Sequence, residues 1–461
     1  MRSIRDPDQL LADGLAAIRA QFRIPASFPP EVIAAAEQAA QRAPTAHEDW
    51  TARHFVTLDP MGATDLDQAF AIEASGSDWL LHYAIADVAW FVDEGGVIDA
   101  EAWKRGTTTY LPGGKASLYP RVLSEGAASL LPDGPRPAVV FTVRVAPDGT
   151  PQLDAARRVT IRSRAKLAYE TATEADLPPG FAELAGRIMA AEERRGASRV
   201  DPPEQELAAD AEGRHRLQFR PLSRVEQQNA ALSLACNMAI AQALYQAGTG
   251  LFRVMAPPSA EAQARLRLTA RAFELDWPAA TPLAEYERSL DGRDPRQAAF
   301  MLAVRRAGEG ASYAPYVAGE RPWHAAVAAT YAHATAPLRR LADRYVIRVM
   351  LAVAKGEPVP PDVTDAFLRL PAVMAKADAR DGQVERAAID LAEAAILAGR
   401  EGESFAAMIT DQAENGARIQ LCDAPVVARL QAPGLLPGTR LAVRLASVDL
   451  ARRTLQFSAE P

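Results

Sequence analysis

The chain has 461 residues, 49% of them hydrophobic and 24% charged, with a formal net charge of −7. These are globular values: they allow a large core in two or three domains and weigh against a surface that is basic all over. No run is apolar enough to span a bilayer, and Met1-Arg2-Ser3-Ile4-Arg5-Asp6 lacks a signal peptide's apolar core. Cys236 and Cys422 form no metal or disulfide pattern, so no membrane contact and a cytoplasmic location are expected.

Residues 1 to about 50 read as two helices with a break. Leu10, Leu11, Leu15 and Ile18 fall at helical spacing, Pro25 and Pro29-Pro30 punctuate, and Glu31 to Gln41 is Ala-rich. A helix-turn-helix-like cap and a plain helical arm on the core both fit. Next, the apolar run Phe55 to Leu58 ends on Asp59, a Pro/Gly loop follows, and Asp65-Leu66-Asp67 opens another apolar run. Alternate side chains of an extended strand share a face, so Asp65 and Asp67 point the same way and Asp59 can turn toward them. Three carboxylates so placed repel one another unless a cation lies between them, and hard oxygen ligands suit Mg²⁺ or Mn²⁺. Calcium fits poorly, because the twelfth position counted from Asp59 is Phe70 rather than Glu. A polar turn, with Asp side chains bonding nearby amides, is the other reading of the same residues.

Trp79 to Val92 is nearly continuous apolar sequence, the texture of strands buried on both faces. His82 is expected as a core histidine and Asp87 as a buried hydrogen-bonding group. Strand-like Val159 to Arg164 and a charged helix at Phe181–Arg195 lead to Val225–Leu244, a long amphipathic helix carrying Asn229 and Asn237. Ala366 to Gly399 reads as helix. Beyond Gly402 the texture changes to five short segments: Ser404–Ile409, Arg418–Leu421, Pro425–Leu430, Arg440–Val448 and Thr454–Phe457. Separated by turn signals, they predict a small OB-type barrel. From Ser404 onward six Arg face five Asp and Glu, a locally basic end in an acidic chain.

The Thr57–Phe70 stretch resembles the signature of the ribonuclease II/R (RNB) exoribonuclease family, whose T-I-D-x-x-x-x-x-D-x-D-D-A pattern holds catalytic magnesium. Asp59, Asp65 and Asp67 match three of its four acidic positions, and Gln68 stands at the fourth. Tyr331-Ala332-His333-Ala334-Thr335-Ala336-Pro337-Leu338-Arg339-Arg340-Leu341-Ala342-Asp343 is similar to the family's H-F-T-S-P-I-R-R-Y-A-D motif. Weaker matches are Ala84–Val88, Arg105–Pro112 with Pro120–Ser124, Leu251–Pro258, and Gln383-Val384-Glu385-Arg386 against A-E-R.

The resemblance implies an α+β fold in three parts. These are a helical segment over 1–52, an RNB-type catalytic domain over 53–401 and an RNA-binding OB barrel over 402–461, a short form lacking the family's two cold-shock barrels. It implies a monomeric, processive 3′→5′ exoribonuclease releasing nucleoside 5′-monophosphates from single-stranded RNA. Asp59, Asp65, Asp67 and Gln68 would hold Mg²⁺ (or Mn²⁺), Arg339 would contact the scissile phosphate, Tyr110 would stack a base, and Glu385 would lie near the leaving nucleotide. An aromatic ring suits sequence-independent stacking, and a guanidinium suits phosphate. Arg340 and Asp343 are expected to form an ion pair. Val200 stands where the family often has a second clamp aromatic, and Ala231 where it often has an acid. With Gln68, these departures keep open a catalytically silent RNA-binding relative. A metal-dependent phosphoesterase acting on a small nucleotide is the third reading.

Overall fold

The computed structural model describes residues 7–198, 204–209, 215–220, 222–292, 294–308, 310–413, 416–422, 424, 426–432 and 434–460. Val200 and the Glu414-Asn415 pair, which falls between the first two predicted barrel segments, lie outside them. Helix α1 (Pro7–Gln21) lays Leu11 and Ile18 against Val384, Ala388 and Leu391, far along the chain. Helix α2 (Pro30–Ala40) starts on Pro30, whose fixed φ suits a first turn, and buries Val32, Ala36 and Ala39 in the main core. Both helices are arms packed on the body.

A seven-stranded sheet forms that body. In chain order its first strands are β1 (Glu48–Asp49), β2 (Phe55–Asp59), β3 (Gln68–Ser75) and β4 (Asp78–Ala86). Short helices α3 (Val88–Phe91) and α4 (Val97–Arg105) follow, then the hairpin β5 (Thr109–Leu111) and β6 (Gly114–Ala116), which stands outside the sheet. Strands β7 (Arg136–Val145), β8 (Pro151–Ile161) and β9 (Ser163–Ala168) complete the order β1-β8-β7-β4-β3-β2-β9. The interior is antiparallel, whereas β1 and β9 join the edges in parallel.

Two stretches depart from the expected strands. The Trp79–Val92 run leaves the ladder at Ala86, and Val88–Phe91 turns helical. Apolar texture alone does not distinguish a buried strand from a buried helical turn. Asp65-Leu66-Asp67 precedes β3 rather than opening it. The Leu66 N–H donates to Ser129 Oγ and its carbonyl accepts from the Leu130 N–H, so the middle of this stretch is held by a loop, and the Asp67 carbonyl alone meets a strand by accepting from the Ala86 N–H.

Helix α5 (Phe181–Arg194) packs on α6 (Arg224–Gln246), which lies over β4, β7 and β8; between them in sequence run β10 (Glu204–Ala209) and β11 (His215–Arg220). Strand β12 (Leu251–Val254) pairs with β13 (Ser312–Pro315). Between these two comes a helical lobe, α7 (Ala260–Ala272), α8 (Leu283–Arg288) and α9 (Pro295–Ala307), whose core holds Trp277, Tyr286 and Phe300. Helix α10 (Leu341–Lys355) and the 37-residue α11 (Pro361–Leu397) close the body.

Strands β14 (Ser404–Ala413), β15 (Gly416–Leu421), β16 (Val427–Leu430), β17 (Arg440–Asp449) and β18 (Thr454–Ala459) form the predicted closed barrel, around Ile409, Ile419, Leu430, Val443, Leu445 and Phe457. The whole is the mixed α+β architecture with a terminal barrel that the sequence implies. Among the described residues no helix is long and apolar enough to cross a membrane.

Candidate active site

The acidic loop hangs between the ends of β2 and β3, and each side chain is placed by a different neighbour. Asp59 ends β2, where its carbonyl accepts from the Tyr169 N–H at 3.1 Å. Asn229 on α6 anchors this strand end by donating to the Leu58 carbonyl (3.2 Å) and to the Tyr169 hydroxyl (2.8 Å). The loop itself is pinned by Lys166, which donates to the Met61 carbonyl at 2.9 Å, and by Ser129, which donates to the Thr64 carbonyl at 2.7 Å.

Asp67 is buried, and its Oδ1 accepts the Leu338 N–H at 2.7 Å. Arg339, the next residue, is exposed, with Nε 3.7 Å from Asp67 Oδ2. The two strongest sequence motifs, separated by about 270 residues, therefore meet at one carboxylate. The turn carrying Leu338 and Arg339 is itself braced. Asp343 accepts the Ala336 N–H and pairs with Arg340 at 2.7 Å, as the sequence led one to expect. Asn237 on α6 accepts from the Ala334 N–H and donates to Thr335 and Tyr331.

Burial dominates the electrostatics. Desolvation raises the Asp67 pKa to about 8, against the Arg339 charge and the Leu338 N–H, and raises that of Asp59 to about 6 against the same arginine. Asp59 Oδ2 is buried without a hydrogen-bond partner. This donor set fits a hard divalent cation: it offers only oxygen, two of its carboxyls are disfavoured as bare anions, and one oxygen stands unsatisfied. Among the described residues no three His, Cys, Asp or Glu side chains are gathered into a ready cage. One or two carboxylates completed by phosphate and water is the usual Mg²⁺ arrangement.

The remaining expected residues are placed differently. Asp65 is bonded to the β5–β6 hairpin: its Oδ2 accepts from the Tyr110 hydroxyl at 3.1 Å and its Oδ1 lies 2.6 Å from Lys115 Nζ. The Tyr110 side chain thus stands at the acidic loop, half exposed, with burial raising its pKa. Gln68 is the first residue of β3, and its carbonyl oxygen accepts from the Tyr83 hydroxyl. Glu385 stands exposed on α11, with no hydrogen bond or ion pair to the aspartates or Arg339. One turn earlier on that helix, Asp381 accepts from Thr107 (2.5 Å) and Thr109 (2.7 Å), anchoring the hairpin. Asp87 is buried between Arg158 (2.8 Å) and His47 (3.1 Å), and His82 bonds Thr142 and Glu73, so both serve the fold.

Sequence reading missed Lys115, Ser129, Tyr169 and Asp381. For Lys115 there was a signal, because Pro112-Gly113 is a two-residue turn (Gly113 φ +77°) that puts residues 110 and 115 opposite each other. The others act only through tertiary contact. A polar pocket of about 480 Å³ adjoins the loop, lined by Gln68, Tyr169, Glu226, Asn229, Ser233 and Arg339 among others.

Fold and site together define a mixed α+β body whose acidic loop adjoins a polar pocket beside an arginine, with an OB-type barrel appended. The RNB domain family model matches residues 47–356, and that of the RNase II-type exonuclease C-terminal S1 domain matches residues 403–460; the chain belongs to the RNB family. Ribonuclease R of Aquifex aeolicus is 28% identical over 432 residues, covering 87% of this chain and 60% of that relative, so the chain spans about three fifths of its length. The RNase R of Mycoplasma genitalium, solved with ribose-methylated single-stranded RNA, superposes with a TM-score of 0.86 at 20% identity, over 98% of this chain and 78% of that one. Yeast Ssd1, described as a pseudonuclease, superposes with a TM-score of 0.68 at 17% identity, over 96% of this chain and 59% of that one.

Proposed function

We propose that this protein is a processive 3′→5′ exoribonuclease that hydrolyses single-stranded RNA to nucleoside 5′-monophosphates, acting as a monomer in the cytoplasm. The observation that carries the reading is the meeting of Asp67 with the Leu338 N–H and Arg339. It sets a phosphate-binding cation beside a carboxylate that lacks full charge compensation. Asp59 and Asp67 would hold Mg²⁺ or Mn²⁺, with Asp65 at the rim. When bound, such an ion supplies Lewis acidity at a phosphoryl oxygen and lowers the pKa of water.

The chain's own residues do the rest. Arg339 receives the non-bridging phosphate oxygens and holds them as negative charge builds, which a permanently charged planar donor does without proton exchange. Tyr110 offers a face to a base near the 3′ end, which fixes the chain without selecting sequence. The pocket beyond Gln68 and Arg339 receives the terminal nucleotide, and Asn229 keeps its wall in register with β2. The test is a time course on 5′-labelled single-stranded RNA with Mg²⁺ and with chelator. Stepwise shortening only with Mg²⁺, with mononucleotide as product, is expected. Endonucleolytic fragments, or cleavage that persists in chelator, would refute it.

The bond between Gln68 and Tyr83, which occupies the carbonyl oxygen at a position the family keeps acidic, favours a second reading as a silent RNA-binding relative. Its likeness to a pseudonuclease points the same way. Wild-type protein inactive at every Mg²⁺ and Mn²⁺ concentration, yet binding RNA, would decide for it.

A further inference from the structure

The β5–β6 hairpin pairs Tyr110 directly with Lys115, and directly opposed residues share a face. Both side chains end on one carboxylate. Lys115 Nζ is 2.6 Å from Asp65 Oδ1, and the Tyr110 hydroxyl donates to Asp65 Oδ2 at 3.1 Å. The same ammonium lies 3.3 Å from Glu125 Oε1, and Arg121 holds Glu125 from the other side at 2.9 Å. With its side chain only 18% exposed, Lys115 is fixed among these carboxylates instead of waving in solvent. Each oxygen of Asp65 therefore has a protein partner. Asp59 Oδ2, by contrast, is buried with none, and Asp67 has one N–H on Oδ1 and a guanidinium 3.7 Å from Oδ2.

We propose that Lys115 is a resident cation of this site: it takes Asp65 as its own partner, leaves the divalent ion to Asp59 and Asp67, and through Asp65 holds Tyr110 in place for RNA. The inference rests on the proposed metal-dependent nuclease reading and goes beyond it by dividing the three aspartates between two cations. A partly buried ammonium stripped of its carboxylate is strongly disfavoured, so surrendering Asp65 to a metal would leave Lys115 with Glu125 alone. Asp65 and Lys115 are then positioning residues, and Tyr110 is the group that touches substrate.

Mn²⁺ binding to the full chain without RNA tests the division, by calorimetry and electron paramagnetic resonance. The double variant Asp65→Asn/Lys115→Met removes one charge of each sign, so it leaves local charge unchanged. It should bind Mn²⁺ within about threefold of wild type, whereas Asp67→Asn should lose at least about tenfold. Lys115→Met alone frees Asp65 and should bind Mn²⁺ at least about tenfold more tightly. A tenfold or greater loss in the double variant, or unchanged affinity in Lys115→Met, overturns the proposal while the metal reading stands. No Mn²⁺ binding by wild type overturns both. In chelator, single-stranded RNA affinity should fall at least about threefold in Lys115→Met and be retained in Lys115→Arg. Wild-type affinity in the Met variant refutes the positioning role.

Discussion

At Asp67 a carboxyl whose pKa burial raises to about 8 is met by one backbone N–H and, at 3.7 Å, one guanidinium. Asp67→Asn keeps that shape and hydrogen bond but removes the charge. Its kcat is expected to fall at least about a hundredfold, ~2.7 kcal/mol of barrier, with RNA affinity near wild type. Mg²⁺ is expected to raise the Tm of wild type and to leave that of the variant unchanged. More than about a tenth of wild-type kcat in the variant would remove Asp67 from the metal's ligands. The histidines behind the arginine turn make a different prediction. Burial, with Arg253 nearby, holds His324 at about 4, and burial with Arg340 and Arg253 nearby holds His333 well below its ordinary value. Both are neutral in the fold and would protonate near about 6.5 in the unfolded chain, so their contribution is whole above that pH and lost as pH falls toward 4. Tm should decline over this window, and less steeply in His324→Gln. Parallel curves for the two proteins would show that His324 does not contribute.

Elements position these residues through tertiary ties. The hairpin bearing Tyr110 is held by Asp381 of α11 and by a backbone bond from the Thr108 N–H to the Arg339 carbonyl, so the proposed base platform and the proposed phosphate ligand share one frame. Helix α1 supports it from outside, where Leu11 and Ile18 share a cluster with Leu111 and Ala116. The barrel is the element expected to hold RNA away from the chemistry. Arg429 and Arg440 are exposed on its strands. Reversing both to Glu should weaken single-stranded RNA binding, leaving kcat at saturating RNA unchanged. The logarithmic salt dependence of affinity should flatten by about 0.7 for each phosphate no longer neutralised. An unaltered salt slope would place the RNA elsewhere on the protein.

Across the whole molecule, barrel and body are one packed object. Met408 of β14 sits in the core of the helical lobe with Leu266, Tyr286 and Phe300, so deleting the barrel would strip that core as well as any grip on RNA. Gly438 marks the closest approach: at φ +86°, an added Cβ would stand 1.7 Å from the Ala272 carbonyl oxygen of α7. Gly438→Ala should therefore force barrel and lobe apart, costing about 1–3 kcal/mol and exposing the junction to protease. A variant with an unchanged denaturation midpoint would mean the two units are not mechanically joined there. The net charge of −7 is unevenly spread, since the barrel segment carries six Arg against five acids, and the RNA binding proposed for it would follow local field rather than total charge.

Local chemistry was legible in the sequence. The acidic triplet, the Arg339 motif, the amphipathic α6 and the five-strand texture of the barrel depend on side-chain type and period, which sequence displays directly. Tertiary structure decided which groups meet and what burial does to them. Asp67 owes its raised pKa to being enclosed beneath a turn about 270 residues away, Asp65 was claimed by a lysine on a neighbouring hairpin, and Gln68 bonds Tyr83 across paired strands. The Trp79–Val92 run shows the same limit at the level of an element. Most of its apolar residues are buried as expected, but the strand yields to a helical turn at Asp87, whose carboxylate meets Arg158 and His47 from distant parts of the chain. Desolvation and partnership are properties of the space around a residue, and that space exists only after the chain has closed on itself.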